Sequence, residues 1–235
     1  HRLEEIRAID PDAVAASFES AGTTGEPKRI DLSFGDVQAI ANVGAAVLRL
    51  RAGDGPLRAA VAMPLRHGLW VGWRQATWIL ERAGALALTL GDDDPEKVAR
   101  AMGRYRTDTL LSSPSFARRL VEAFGDGDRP PLERIVLGAE KLEPDDAAAL
   151  RDAFPGAAIH SSYATTELGV GLATSWRDEP SIIVNETEVI AEIVDPPVTH
   201  FGYGQQALQS ADIEEGAEIA QRGVGAPDHR AFLQS

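Results

Sequence analysis

Apolar residues recur along this chain in two alternating signatures. Ala59 to Met63, Ala85 to Leu90, Thr109 to Leu111, Ile135 to Leu137 and Ala157 to Ile159, the last running on to Tyr163, are short apolar runs without polar alternation. Between them, apolar residues fall at helical spacing. Leu69 to Arg82 carries Trp70, Trp73 and Trp78, and the stretch after Pro95 puts Val98, Met102 and Tyr105 on one face. Phe116 to Phe124 and a segment opened by Pro144 with Ala147, Leu150 and Phe154 follow the same rule. Continuous strands separated by amphipathic helices predict an α/β fold, a mostly parallel sheet with helices on both faces.

The flanks read differently. Leu3, Ile6 and Val14 predict a helical lead-in up to Ser17, and Ile30 to Ser33 is short and extended. Ser33 followed by Asp36 is an acidic variant of a capping box, opening a helix through Val37, Ile40, Ala41, Gly44, Val47 and Leu48. Gly53 to Pro56 is a turn. After Ser175, Ile182 to Val184 and Glu188 to Asp195 predict antiparallel strands, a small β-rich appendage over residues 176–235. No internal repeat is present.

Composition narrows the function classes. The 235 residues carry a formal charge of −13, which disfavours a nucleic-acid or anionic-membrane surface as partner but leaves room for a local cationic pocket. There is no cysteine, so disulfides, thiolate metal sites and cysteine nucleophiles are excluded. No apolar run reaches membrane-spanning length, and the expected compartment is the cytoplasm.

The densest chemistry lies in Ser20-Ala21-Gly22-Thr23-Thr24-Gly25-Glu26-Pro27-Lys28. Gly22 and Gly25 let backbone approach a ligand closely, the hydroxyls and N–H groups are short-range donors, and Lys28 adds a mobile charge. Such a loop suits an anion such as a polyphosphate, with a solvated turn as the plain alternative. It lacks the spacing of a Walker A loop. Three strand ends add further candidates. Met63 leads into Pro64-Leu65-Arg66-His67-Gly68, Leu137 into Gly138-Ala139-Glu140-Lys141, and Ser161-Ser162 into Tyr163-Ala164-Thr165-Thr166-Glu167. Ligands of open α/β sheets sit beyond the carboxyl ends of the strands.

Taken in this order, the motifs resemble the adenylate-forming superfamily, and within it phenylacetate–CoA ligases and acyl-protein synthetases. Ser20 to Lys28 is similar to its Ser/Thr-Gly-Ser/Thr-Thr-Gly-x-Pro-Lys phosphate loop, with Ala21 as an extra small residue. Tyr163 to Glu167 is similar to its Tyr-Gly-x-Thr-Glu signature, with Ala164 for glycine. Gly138-Ala139-Glu140 looks like its adenine-side loop, and His67-Gly68 resembles a His-x-Tyr-Gly region. The resemblance spans residues 18–174.

It implies activation of a carboxylic acid with ATP to give an acyl-adenylate, with a small aromatic or apolar acid as the expected substrate, and transfer to CoA or a carrier-protein thiol. Residues 1–175 then form the nucleotide- and acid-binding domain. Ser20, Gly22, Thr23, Thr24, Gly25 and Lys28 would hold the phosphates, and Gly138, Ala139 and Glu140 would line the adenine. Ser162, Tyr163, Ala164 and Thr165 would border it. Thr166 would contact the α-phosphate, Glu167 would hold Mg2+, and Lys28, His67, Thr166 and Glu167 form the catalytic set. Trp70, Val71, Trp73 and Gly171 are candidates for an acyl pocket, with core packing as the alternative for the tryptophans.

The family's C-terminal domain, with its catalytic lysine, finds no room after Glu167, and its ribose-binding aspartate has only Asp212 as a weak counterpart. Two rival readings therefore stand beside the enzyme. One is a nucleotide- or acyl-binding module without turnover; the other is a subunit completed by a separate C-terminal-domain-like chain. Asp92 to Asp94 reads as a helix start, Arg118-Arg119 as a solvated face, and His160 and His200 lack ligand-spaced partners.

Overall fold

The computed structural model describes residues 9–20, 27–65, 69–125, 129–166, 169–175 and 182–184. All lie in one compact unit, residues 1–194. A 3-10 turn at Pro11–Ala13 leads into strand β1 (Val14–Glu19), which pairs antiparallel with β2 (Arg29–Ser33). The region to Ser17 was expected to be helical; the structure corrects this for residues 14–17. Ala16 and Phe18 alternate toward a small core with Leu32, Val71, Ile30, Val37, Ile40 and Trp78, which a strand satisfies and a helix would not. Phe18 meets Trp78 edge to face at 6.0 Å.

Ser33 caps helix α1 (Phe34–Ala52) through the reciprocal box its sequence announces: its hydroxyl accepts from the Asp36 N–H, and the Asp36 carboxylate accepts from the Ser33 N–H. The chain then alternates through β3 (Arg58–Ala62), α2 (Gly72–Arg82), β4 (Leu86–Thr89), α3 (Pro95–Tyr105), β5 (Thr109–Ser112), α4 (Pro114–Phe124), β6 (Arg134–Leu137), α5 (Pro144–Ala153) and β7 (Ala158–Thr165). Helix α2 starts at Gly72 rather than Leu69. Phe154 follows α5 instead of belonging to it, while Asp94 caps α3 by accepting from the Lys97 N–H at 2.9 Å.

Strands β8 (Gly169–Ser175) and β9 (Ile182–Val184) complete a seven-stranded sheet in the order β4-β3-β5-β6-β7-β8-β9. The strands β4 to β7 are parallel, and β8 and β9 return antiparallel. Ile182–Val184 is thus the antiparallel strand its sequence suggests, and it joins the main sheet. The expected strand at 188–195 lies outside the described residues.

Both faces are covered. Ala60, Ala62, Leu110, Ile135, Leu137 and Ile159 pack under α3, α4 and α5, while Ala59, Val61 and Leu111 pack under α1 and α2. Alternate residues of β3 serve opposite cores, which is why its run is apolar throughout. A Cβ at Gly44 would collide with the Ile79 side chain, so this glycine sets how closely α1 approaches α2. The far strand β8 is tied to α1 by Arg51, whose Nη2 donates to the Ser175 carbonyl at 3.3 Å; burial lowers the Arg51 pKa from its usual value. Among the described residues, no helix is long and apolar enough to cross a membrane.

Candidate functional site

The chain enters the sheet at β3, steps to the edge strand β4, and returns to β5 on the other side of β3. That reversal makes a topological switch point between β3 and β5, beyond whose carboxyl ends a crevice is expected. The backbone there is stitched across strands. The Ser112 hydroxyl donates to the Ala62 carbonyl at 3.0 Å, and the Gly138 N–H donates to the Ser112 carbonyl at 3.0 Å. Ser112 therefore ties the ends of β3, β5 and β6 together.

The turn after β6 is conformationally unusual. Ala139 has φ 70°, a left-handed backbone for a residue that carries a Cβ. Gly138 lies against β7: a Cβ built there would approach the Ser162 carbonyl oxygen to 3.4 Å. Glu140 is exposed, and its carboxylate is engaged on one side. It accepts from the Ser115 N–H at 3.1 Å and from the Ser115 hydroxyl at 2.9 Å, in the first turn of α4.

The register Leu137↔Ser161 carries Ser162 to Thr165 past the end of β6. These residues pair with β8, with a register shift between Tyr163 and Thr165, and such irregularities re-aim side chains next to sites. Tyr163 is 40% exposed on the face that Ile159 shares, so its ring is available to a flat ligand, and Ala164 is exposed as well. Thr166 follows in the turn, half-buried.

Ser20 and Lys28 form the mouth of the β1–β2 hairpin. The Ser20 N–H donates to the Lys28 carbonyl at 2.9 Å, and the Ser20 hydroxyl accepts from the Lys28 N–H at 3.0 Å. The Glu19 N–H donates to the Leu69 carbonyl at 3.0 Å, which docks this mouth beside the segment that follows β3. The Lys28 side chain is exposed. Gly22, Thr23, Thr24, Gly25, His67, Glu167, His200 and Asp212 lie outside the described residues.

Of the acyl-pocket candidates, Val71 is buried against Phe18 and Leu32, and Trp73 packs on the core under α1 and α2. Both serve the core. His160 is buried, with Nδ1 3.3 Å from the Ser175 carbonyl oxygen. Ser112, Ser113 and Ser115 are not among the residues singled out by the motifs. Their signal was present: three serines and a proline directly after a buried strand, at the same sheet edge as the other motifs.

A doubly wound sheet with a left-handed turn at Ala139 and an exposed Tyr163 beyond the carboxyl ends of its strands defines an open α/β class of protein. The AMP-binding enzyme family profile matches residues 2–200. The chain belongs to that family. It is 28% identical over 138 residues to phenylacetate-coenzyme A ligase of Escherichia coli (strain K12), covering 57% of this chain and 31% of that protein. It is 30% identical over 150 residues to salicyl-AMP ligase / salicyl-S-ArCP synthetase of Mycobacterium tuberculosis (strain ATCC 25618 / H37Rv), covering 63% of this chain and 26% of that protein. The fold is shared with an open conformation of 2-hydroxyisobutyryl-CoA ligase in complex with 2-HIB-AMP and CoA, at TM-score 0.62 and 17% identity over 71% of this chain and 40% of that one. The chain spans less than half the length of each of these proteins.

Proposed function

We propose that this chain carries the nucleotide- and acid-binding part of an ATP-dependent acid–AMP ligase, within residues 1–175, acting on a small aromatic carboxylic acid. The observation that carries the reading is the left-handed turn at Ala139, closed against Ser162 beside an exposed Tyr163. That edge offers backbone polar groups and an aromatic face for an adenine, and family membership supplies the adenylate. The named activities of the two curated relatives support an aromatic acid, with CoA or a carrier thiol as acceptor.

Attack of a carboxylate on the α-phosphorus brings two anions together. Donors fixed before the reaction lower that barrier. In this reading Thr166 and Lys28 supply hydroxyl and ammonium donors to the phosphates, with Thr23, Thr24, Gly22 and Gly25 as the loop around them. Glu167 is the proposed Mg2+ ligand, a hard oxygen suited to that ion. His67 is proposed at the acid. Ser20 closes the loop at its base through the bonds to Lys28, and so acts on the phosphates through geometry.

The test is acid-dependent exchange of pyrophosphate into ATP across a panel of aryl and alkyl acids, with AMP calorimetry alongside. Exchange with benzoate- or phenylacetate-type acids is expected. AMP binding without exchange by any acid would favour a binding module. Exchange restored by added cell lysate would favour a subunit completed by another chain. No AMP binding by the folded chain would refute the reading.

A further inference from the structure

Glu140 sits in the turn after β6, yet its carboxylate is spent on α4. Its two oxygens accept from the N–H and the hydroxyl of Ser115 at 3.1 and 2.9 Å. Ser115 is the second residue of α4, so its N–H is one of the helix's unpaired first-turn donors, and the start of a helix favours an anion. Behind it, Ser113 accepts from the Phe116 N–H at 3.3 Å and lies 3.2 Å from the Ser115 hydroxyl. The Ser115 proton goes to the carboxylate, so Ser113 must donate to Ser115. The protons run one way, from Phe116 through Ser113 and Ser115 to Glu140, and such chains strengthen each link.

The carboxylate end of this relay is one residue from the strained Ala139 and two from Gly138, whose N–H is held by Ser112. The turn is thus clamped on both sides by the serine segment that ends β5. We propose that Ser115, acting through Glu140, is a positioning residue for the adenine-side turn: it holds residues 138–140, with Ala139 left-handed, in the form that presents their backbone to the base. This rests on the proposed nucleotide site. It differs from the expectation that Glu140 itself touches the adenine.

The experiment uses Ser115→Ala, Ser115→Thr, Glu140→Gln and the double variant Ser115→Ala/Glu140→Gln. Ser115 is exposed and the helix retains its Ser113 cap, so Ser115→Ala keeps the fold. AMP affinity by calorimetry is expected to fall about tenfold in Ser115→Ala, the scale of one charge-assisted hydrogen bond, and to be retained in Ser115→Thr. The double variant should be no weaker than the worse single one, since both break one link. Amide exchange at residues 138–141 should quicken in Ser115→Ala and not in Ser115→Thr.

A Glu140→Gln loss with unchanged AMP binding in Ser115→Ala would overturn the proposal in favour of direct contact. Should the unaltered chain not bind AMP, the proposed function fails. The clamp is then judged by amide exchange alone, and unchanged exchange in Ser115→Ala overturns it.

Discussion

Ala139 is the residue at which strain and the proposed site coincide. An L-residue in the left-handed region costs roughly 1–2 kcal/mol, and a glycine there costs roughly 0.5–1 kcal/mol in unfolded-state entropy. Ala139→Gly is therefore expected to stabilise the fold by about 0.5 kcal/mol in urea unfolding, while loosening the turn and weakening AMP several-fold. A destabilisation above about 1 kcal/mol would show that the methyl group is packed rather than strained. Lys28 divides its labour differently. Its backbone closes the hairpin mouth while its exposed side chain is the proposed phosphate contact. Lys28→Ala should leave the melting temperature within a degree or two and weaken Mg-ATP by roughly tenfold, one charge-assisted contact. A collapse in melting temperature would place the side chain in the scaffold.

At the scale of elements, legibility followed local chemistry. The cap at Ser33, the proline-opened helices at Pro95 and Pro144, and the turn at Gly53 were all readable, because each is decided within a few residues. Strand β1 was not. Leu3, Ile6 and Val14 look helical in spacing, but Phe18 is fixed by Leu32 of β2 and by Val71 and Trp78, at the start of α2 and within it, two segments later in the chain. Gly44 shows the same dependence. It suits a helix poorly, and only the approach of Ile79 explains it. Gly44→Ala is expected to cost about 1–3 kcal/mol by overpacking, although alanine is the better helix former, and Ile79→Ala in the same chain should recover part of that loss. Equal costs with and without Ile79 would mean that the two helices do not meet there as described.

The described sheet separates a stabilising edge from the proposed site by its two ends. At the amino edge, Asp108 accepts from the Arg58 N–H at 2.9 Å, the Thr109 hydroxyl at 2.7 Å and Arg134 Nη2 at 3.2 Å, joining β3, β5 and β6. Its carbonyl also accepts from the N–H groups of Glu133 and Arg134. At the carboxyl edge the serines and the turn at 138–140 face the proposed ligand. Asp108→Ala should lower stability by roughly 2 kcal/mol, because it removes the acceptor of the buried Thr109 hydroxyl and of one nitrogen of the buried Arg134, and leave AMP affinity unchanged. A parallel loss of affinity would show that the two edges are coupled through the strands.

What the sequence determined by itself was the alternation of buried strands and amphipathic helices, and hence a parallel sheet covered on both faces. It also determined the family, because Ser20 to Lys28 and Tyr163 to Glu167 are contiguous motifs whose residue types carry their own chemistry. Tertiary structure alone decided the strand order that puts the switch point between β3 and β5 and the return of β8 and β9 into one sheet. It also turned the carboxylate of Glu140 toward Ser115, 25 residues earlier in the chain. The reason is physical. A hydrophobic period reports which face of an element is buried, and a motif reports which groups lie near each other in sequence. Neither reports which elements become neighbours, and it is neighbours across the fold that compete for a carboxylate.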